Sequence, residues 1–376
     1  MMLYQSTFED LRARIRSGEF AVGDRLPTEA ELLEHYRISA ITLRRALDML
    51  RAEGYVARRP RVGTTVVSVD ATAPTDPTAQ VDIGVVLTNF DDTFGTRLLE
   101  GMLDEAGTGA NVILKRTHGD HDAEDAAIRS LASRVQGLIV LPSSSEFIPP
   151  AVLELLPAGF PVVILDRRYE GIPVSDISTD NIAAGSAATE HLFALGHRAV
   201  ALVTSDSRVT SNDDRRRGWV GAHARNDKAL DDGLAFHDVE STLPGATDRP
   251  EDDVARLVAF VESHPEATGF VAGEYNIALL LRDALEALGK RVPEDASVVC
   301  FDHPAATFDR RMFRFTHVAQ DQPGVGRRAV EQLLRQARGE TASRKILVPA
   351  ELVPGASTAA PPTRRGGRAA PSPSRR

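Results

Sequence analysis

The sequence predicts an α/β fold class in two unequal parts, and three observations carry that reading. The chain has 376 residues, more than one core of ~100 to 150 residues accommodates. Over residues 82–356 short apolar runs alternate with amphipathic stretches, the pattern of parallel strands joined by crossover helices. Ahead of them, residues 1–69 show helical periodicity closed by two short β-type runs.

Composition excludes several function classes. With 42% hydrophobic and 26% charged residues the chain can bury a core, which rules out a collagenous or wholly disordered protein. A single cysteine permits neither a disulfide framework nor a thiolate zinc site, so a cytoplasmic compartment is expected. The start carries Glu9 and Asp10 in place of a basic, then apolar, secretory leader, and no run approaches the ~18 to 20 apolar residues of a membrane span. Aromatics at 5% argue against a stacking platform for single strands. Net charge is −9, unevenly placed: residues 1–69 hold eleven arginines against nine acids, residues 357–376 hold five arginines and no acid, and the middle is strongly acidic.

In chain order, Phe8, Leu11 and Ile15 predict an amphipathic helix. Thr28 with Glu31, ahead of Leu32 and Leu33, forms a capping box that opens a second helix, ending near His35 and Tyr36. Ser39 caps a third, whose apolar stripe is Leu43, Ala46, Leu47 and Leu50, leaving Arg44, Arg45, Asp48 and Arg51 to face outward. After Gly54, the stretch from Tyr55 to Val69 around Arg58, Arg59, Arg61 and Gly63 reads as a β-hairpin beside the helix pair. A helix face of arginines is ordinarily a solvated surface. Here cap, turn, stripe and hairpin fall in register, which favours a helix presented to a DNA major groove. Arginine contacts to phosphate would make the affinity salt-dependent.

Ser17-Gly18, the run from Gly23 to Glu29, Ser39, the run from Thr42 to Leu47 and Glu53-Gly54-Tyr55 resemble the winged helix-turn-helix of GntR-type transcription regulators. The resemblance implies DNA contacts from Thr28, Ser39, Thr42, Arg44, Arg45 and Arg61, with Gly63 and Thr64 on the wing. Ala30 and Ala40 stand where that family usually has arginine.

Residues 70–81, with two prolines and few large apolar groups, read as a linker, and 357–376 as a disordered basic tail. Between them strands are expected at 83–87, 112–115, 137–141, 162–165, 200–203, 269–272 and 297–301. Helices are expected at 95–106, 123–133, 182–195, 252–263 and 276–288. About 275 residues is large for one doubly wound sheet, so two lobes are expected.

Ile83 to Val86, Gly137 to Val140, Pro161 to Arg167, Thr179 to Asn181, Leu195 to Arg198, Arg215 with Gly218-Trp219, Val292 to Asp295, Val298 to Asp302 and Glu351 to Val353 resemble the sensor domain of LacI/GalR-type repressors, itself related to periplasmic sugar-binding proteins. That likeness implies two lobes, three crossovers and a ligand cleft at the carboxyl ends of the strands, where open parallel sheets bind ligands. Asn89, Phe90 and Phe94 follow the first strand, Asp166 and Arg167 the fourth, and Asp302 the last. With Arg215 and Glu274 they are the expected ligand contacts, carboxylates and guanidinium groups gripping hydroxyls and Phe90, Phe94 or Trp219 covering an apolar ring face. At Gly273 to Asn276 the family's Asn-Asp is altered, so Glu274 offers a carboxylate in place of an amide.

Enzyme readings fare poorly. No P-loop or nucleophile elbow occurs, Gly107-Thr108-Gly109 ends a helix in place of following a strand, and His118 and His121 read as a solvated turn. An acid pair among Asp91, Asp92 and Asp166 is the residual catalytic reading. The expected protein has no catalytic residues, metal or cofactor. It is a homodimeric regulator that binds double-stranded operator DNA and answers to a small effector, by default a sugar. The alternative is a cytoplasmic solute receptor with little DNA binding.

Overall fold

A computed structural model describes residues 3–59, 63–70, 80–206, 208–304, 309 and 311–362. The first part holds helices α1 (Leu3–Arg16), α2 (Glu29–Tyr36) and α3 (Ala40–Ala52), then strands β1 (Val56–Arg59) and β2 (Gly63–Val66). Phe8, Leu11, Ile15, Leu26, Leu32, Leu43, Ala46, Leu47, Leu50 and Tyr55 close one small core. The capping box forms as the sequence requires: the Thr28 hydroxyl accepts from Glu31 N, and the Glu31 carboxylate accepts from Thr28 N at 2.7 Å. Arg37, at φ 50°, ends α2 in the left-handed conformation and makes the sharp turn into α3, which Ser39 caps. Strands β1 and β2 pair antiparallel, Val56 opposite Val66.

The larger part contains two six-stranded sheets. In chain order come β3 (Val81–Leu87), α4 (Thr96–Ala106), β4 (Ala110–Arg116), α5 (His121–Ala132), β5 (Gly137–Leu141), α6 (Pro150–Leu155), β6 (Val162–Leu165), β7 (Ser175–Thr179), α7 (Asn181–Ala194), β8 (Ala199–Ser205), α8 (Thr210–Arg225), β9 (Ala235–Val239), α9 (Pro250–Ser263), β10 (Ala267–Ala272), α10 (Tyr275–Ala287), β11 (Ser297–Phe301), β12 (Thr316–Gln320), α11 (Gln322–Ala337), β13 (Lys345–Val348) and β14 (Ala350–Val353). The first sheet runs β13-β7-β6-β5-β3-β4, wholly parallel, and the second β14-β12-β11-β10-β8-β9, parallel except for β14. The chain passes between the lobes three times, from β7 to α7, from β12 to α11 and from β13 to β14. Each sheet is covered on both faces, so inner strands such as β5 and β6 are apolar throughout, as parallel sheets favour.

Among the described residues no helix is long and apolar enough to cross a membrane. The expected tail needs correction at its start, because residues 357–359 are packed: Ser357 is fully buried and donates to Val298 O at 2.5 Å, and Ala359 N donates to Ser297 Oγ. Small residues laid against the start of a strand, here β11, gain hydrogen bonds without needing apolar bulk, which composition alone does not reveal. Residues 71–79 of the expected linker and 363–376 of the expected tail lie outside the described residues.

Candidate functional site

Two sites emerge, one on the small N-terminal part and one between the lobes. On the first, Thr28 and Ser39 stand exposed at the starts of α2 and α3, beside exposed Arg25, Arg37 and Ala40. The wing adjoins them. Gly63 has φ 105°, a conformation side chains rarely adopt, so the backbone favours glycine there, while a Cβ would meet only the movable guanidinium end of Arg25 at 2.8 Å. Thr64 is half-buried and its carbonyl takes Leu26 N at 2.9 Å, tying the wing to the loop ahead of α2. Arg61 lies outside the described residues.

Three residues expected to meet DNA have partners or burial within the protein instead. Thr42 is buried, its hydroxyl 2.8 Å from that of Ser39. Arg45 is also buried: it donates to Gln336 O at 2.8 Å and lies over the Tyr4 ring. Arg44 donates to the backbone carbonyl of Ser133. Helix α3 thus has a second contact stripe, in which Ile41 packs on the apolar cluster of the first lobe while Arg44 and Arg45 cap two of that lobe's carbonyls. One apolar stripe was legible in the sequence. The second is built from one isoleucine and arginine stems, which no hydrophobic periodicity registers.

The second site is a cavity of about 140 Å³ at the carboxyl ends of β6, β8, β10, β11 and β12. For scale, an engineered cavity of ~150 Å³ takes one benzene, so the space suits a single sugar-sized ring. Phe94, Asp166, Arg167, Arg215, Glu274 and Asp302 line it together. Asp166 and Asp302 each turn off a strand end at positive φ, 54° and 57°, a conformation costly for a non-glycine residue and concentrated at functional sites. Asp166 pairs with Arg167, whose guanidinium also reaches Ser211 Oγ at 3.1 Å. Arg215 donates to Asn181 Oδ1 at 2.9 Å and to Gly273 O at 2.6 Å, and stacks 3.9 Å over the Phe301 ring. Asp302 accepts from Gln320 N and Gln320 Nε2, and burial pushes its carboxyl up to about 6 despite those bonds.

Other expected contacts fall elsewhere. Asn89 is exposed and does not line the cavity. Phe90 packs on the core of the first lobe with the Arg116 guanidinium above its ring. Trp219, offered as a cover for a sugar face, is fully buried in the second lobe and donates to Val200 O at 2.9 Å. The bulk of an indole favours a core position once its N–H finds a carbonyl. Asp91, one member of the residual acid pair, binds Thr93 N and Phe94 N of its own loop. The sequence reading missed Gln320, Tyr275 and the pair Ser211 and Asn212. Gln320 had a signal: a polar residue at the end of a short strand-like run, the position already used to pick Asp302.

Comparison with known proteins adds two domain matches. Residues 3–66 match the bacterial regulatory proteins of the gntR family, and residues 189–358 match a periplasmic binding protein-like domain. An arabinose metabolism transcriptional repressor of Halalkalibacterium halodurans is 27% identical over 312 residues, covering 80% of each chain. A protein of the same description from Geobacillus stearothermophilus is 26% identical, covering 88% of this chain and 90% of its own. The solved structure of a transcriptional regulator CelR–cellobiose complex superposes with a TM-score of 0.63 at 21% identity, covering 75% of this chain and 86% of the other, which shows a shared fold.

Proposed function

We propose that this chain, in which a gntR-family DNA-binding domain precedes a periplasmic-binding-protein-like domain, is a transcriptional repressor whose operator affinity is set by a sugar in the interlobe cleft. We take residues 1–69 as the DNA-binding head, 70–81 as the connection and 82–356 as the sensor. The observation that carries the reading is the pairing, in one chain, of a capped helix-turn-helix and wing with a cavity walled by Asp166, Arg167, Arg215 and Asp302. The relatives above are repressors of sugar metabolism by name, and none is described as an enzyme. Such a protein acts in the cytoplasm, where DNA and metabolite meet.

The mechanism is linkage. A ligand alters operator affinity only by binding one arrangement of the sensor more tightly than another. Residues from both lobes meet at the cavity, Asp166 and Arg167 from the first, Arg215, Glu274 and Asp302 from the second, so a ligand touching both favours the closed arrangement. Two heads in a symmetric dimer would then change spacing on two half-sites. A coupling of ~1 to 3 kcal/mol changes DNA binding ~5- to 150-fold.

Arg44→Ala is expected to abolish operator binding in a mobility-shift assay and leave the ligand-induced rise in melting temperature intact; Asp302→Ala should do the reverse. If both variants lose both properties, the division of labour is wrong. One observation favours a second reading, a solute receptor without DNA control: Arg44 and Arg45 are spent on the first lobe's carbonyls. Failure of the dimeric protein to shift its own upstream DNA at low salt would select it. Incubated sugar recovered unchanged would reject an enzyme.

A further inference from the structure

The cleft holds one more acid than base, and the surplus is Glu274. Its wall carries Asp166, Glu274 and Asp302 against Arg167 and Arg215. Both guanidinium groups are committed to protein partners, Arg167 to Asp166 and Ser211, Arg215 to Asn181, Gly273 O and the face of Phe301. Asp302 is answered by Gln320. Among the described residues Glu274 forms no ion pair, and its Oε1 is buried with no hydrogen-bond partner, the nearby Thr242 hydroxyl being likewise unpaired. The residue stands at the N-cap of α10, yet its side chain makes no capping bond to that helix, and it lines the cavity. A buried carboxylate oxygen left unmet by the protein is an acceptor held for a donor from outside. A neutral hydroxyl would satisfy its hydrogen bond but leave the charge uncompensated in a poorly solvated site; an ammonium satisfies both.

Resting on the reading of this cleft as the effector site, we infer that the effector is an amino sugar, a ring of monosaccharide size whose protonated amine sits against Glu274. Asp302 and Asp166 then receive ring hydroxyls. Phosphorylated and carboxylated sugars are excluded, because no guanidinium in the cleft is free of a protein partner and the surplus charge repels them. Burial raises the Glu274 carboxyl, with the Thr242 hydroxyl and the Arg215 charge offsetting part of the rise. An ammonium must displace whatever proton the empty site retains, so its affinity increases as pH is raised above the ordinary carboxylate range, where Asp302, pushed up to about 6 in the same cleft, also loses its proton.

The test is calorimetric titration of the full-length protein with glucosamine, galactosamine and mannosamine, each beside its parent hexose, together with arabinose, glucosamine 6-phosphate and glucuronate, at pH 5, 6 and 7. At least one amino sugar should bind ten-fold or more tightly than its parent at pH 7, with affinity climbing over that pH range, while the two acids do not bind. In Glu274→Gln, whose melting curve checks folding, the preference should shrink to within about three-fold. A neutral sugar that binds as tightly as every amine overturns the inference and leaves the sugar-cleft reading standing, as does an amine preference that survives Glu274→Gln. If no sugar of any class binds the folded wild-type protein, the reading of the cleft fails and takes the inference with it. The wild-type comparison and its pH trend need no variant to fold.

Discussion

Asp176 and Asp302 are both pushed up to about 6 from an ordinary 3.8, in each case chiefly by burial. A carboxyl raised in the folded state keeps its proton longer than in the unfolded chain, so the folded protein loses stability as pH climbs from about 4 through about 6, after which the cost is constant. At ~1.36 kcal/mol per unit, each group costs on the order of 2 to 3 kcal/mol at neutral pH. Asp176 sits in β7, has one oxygen without a hydrogen-bond partner and does not line the cavity, so it isolates the effect. Asp176→Asn is expected to raise the melting temperature at pH 7.5 by several degrees and to leave it unchanged near pH 4. A fall at pH 7.5 would mean that Lys345 and Arg168 hold the ionised form more firmly than burial opposes it. Thermal scans at half-unit pH intervals decide between the two.

Helix α8 bears Ser211, Asn212 and Arg215, three residues of the cleft wall, and with α6 and α11 it is a helix that the sequence analysis does not place. The reason is its packing. It meets α7 through glycines: a Cβ on Gly218 would lie 2.2 Å from Ile182 O, and one on Gly185 would lie 2.4 Å from Arg215 O. Backbones this close need no bulky stripe, so the periodicity that revealed α4, α7 and α10 is absent. The same economy joins α4 to α11, where a Cβ on Gly101 would lie 2.1 Å from Pro323 O. Strand β7, reading SDIST, was missed for the opposite cause: it is polar yet buried along its whole length, with Ser175 Oγ accepting from Gln336 Nε2 and Arg344 N. Apolar strands such as 137–141 and 297–301 were found with their bounds, and the strand-end carboxylates came with them. Gly218→Ala should force α8 from α7, costing ~1 to 3 kcal/mol as overpacking does, and weaken ligand binding through displacement of Arg215. Melting curves with and without ligand separate the two losses; unchanged ligand affinity would show that α8 positions nothing in the cleft.

Across the whole molecule, the head rests on the first lobe through Tyr4, Ile41, Arg44 and Arg45. Tyr4 belongs to this contact: a Cβ on Gly159 of the first lobe would lie 2.1 Å from its ring, so glycine there makes room for the tyrosine. A crevice of about 350 Å³ remains alongside, lined by Tyr4, Arg45, Leu153, Leu156, Phe160 and Ile172. If Arg44 meets DNA as proposed, it cannot serve Ser133 at the same time, and docking and operator binding would compete. Tyr4→Ala is expected to loosen the head, seen as faster proteolytic cleavage between residues 70 and 80, and to tighten operator binding about five-fold. Cleavage that speeds up with no gain in DNA affinity would show that docking and DNA use different faces of α3.

The single cysteine, Cys300, is buried and its thiol is held well above its ordinary range by burial. Cysteines introduced by Val22→Cys and Leu230→Cys can therefore be labelled without first removing the native one. Dyes placed at Val22 on the head and Leu230 on the far lobe, both exposed, would turn every closure of the clamp into a change in energy transfer, visible one molecule at a time.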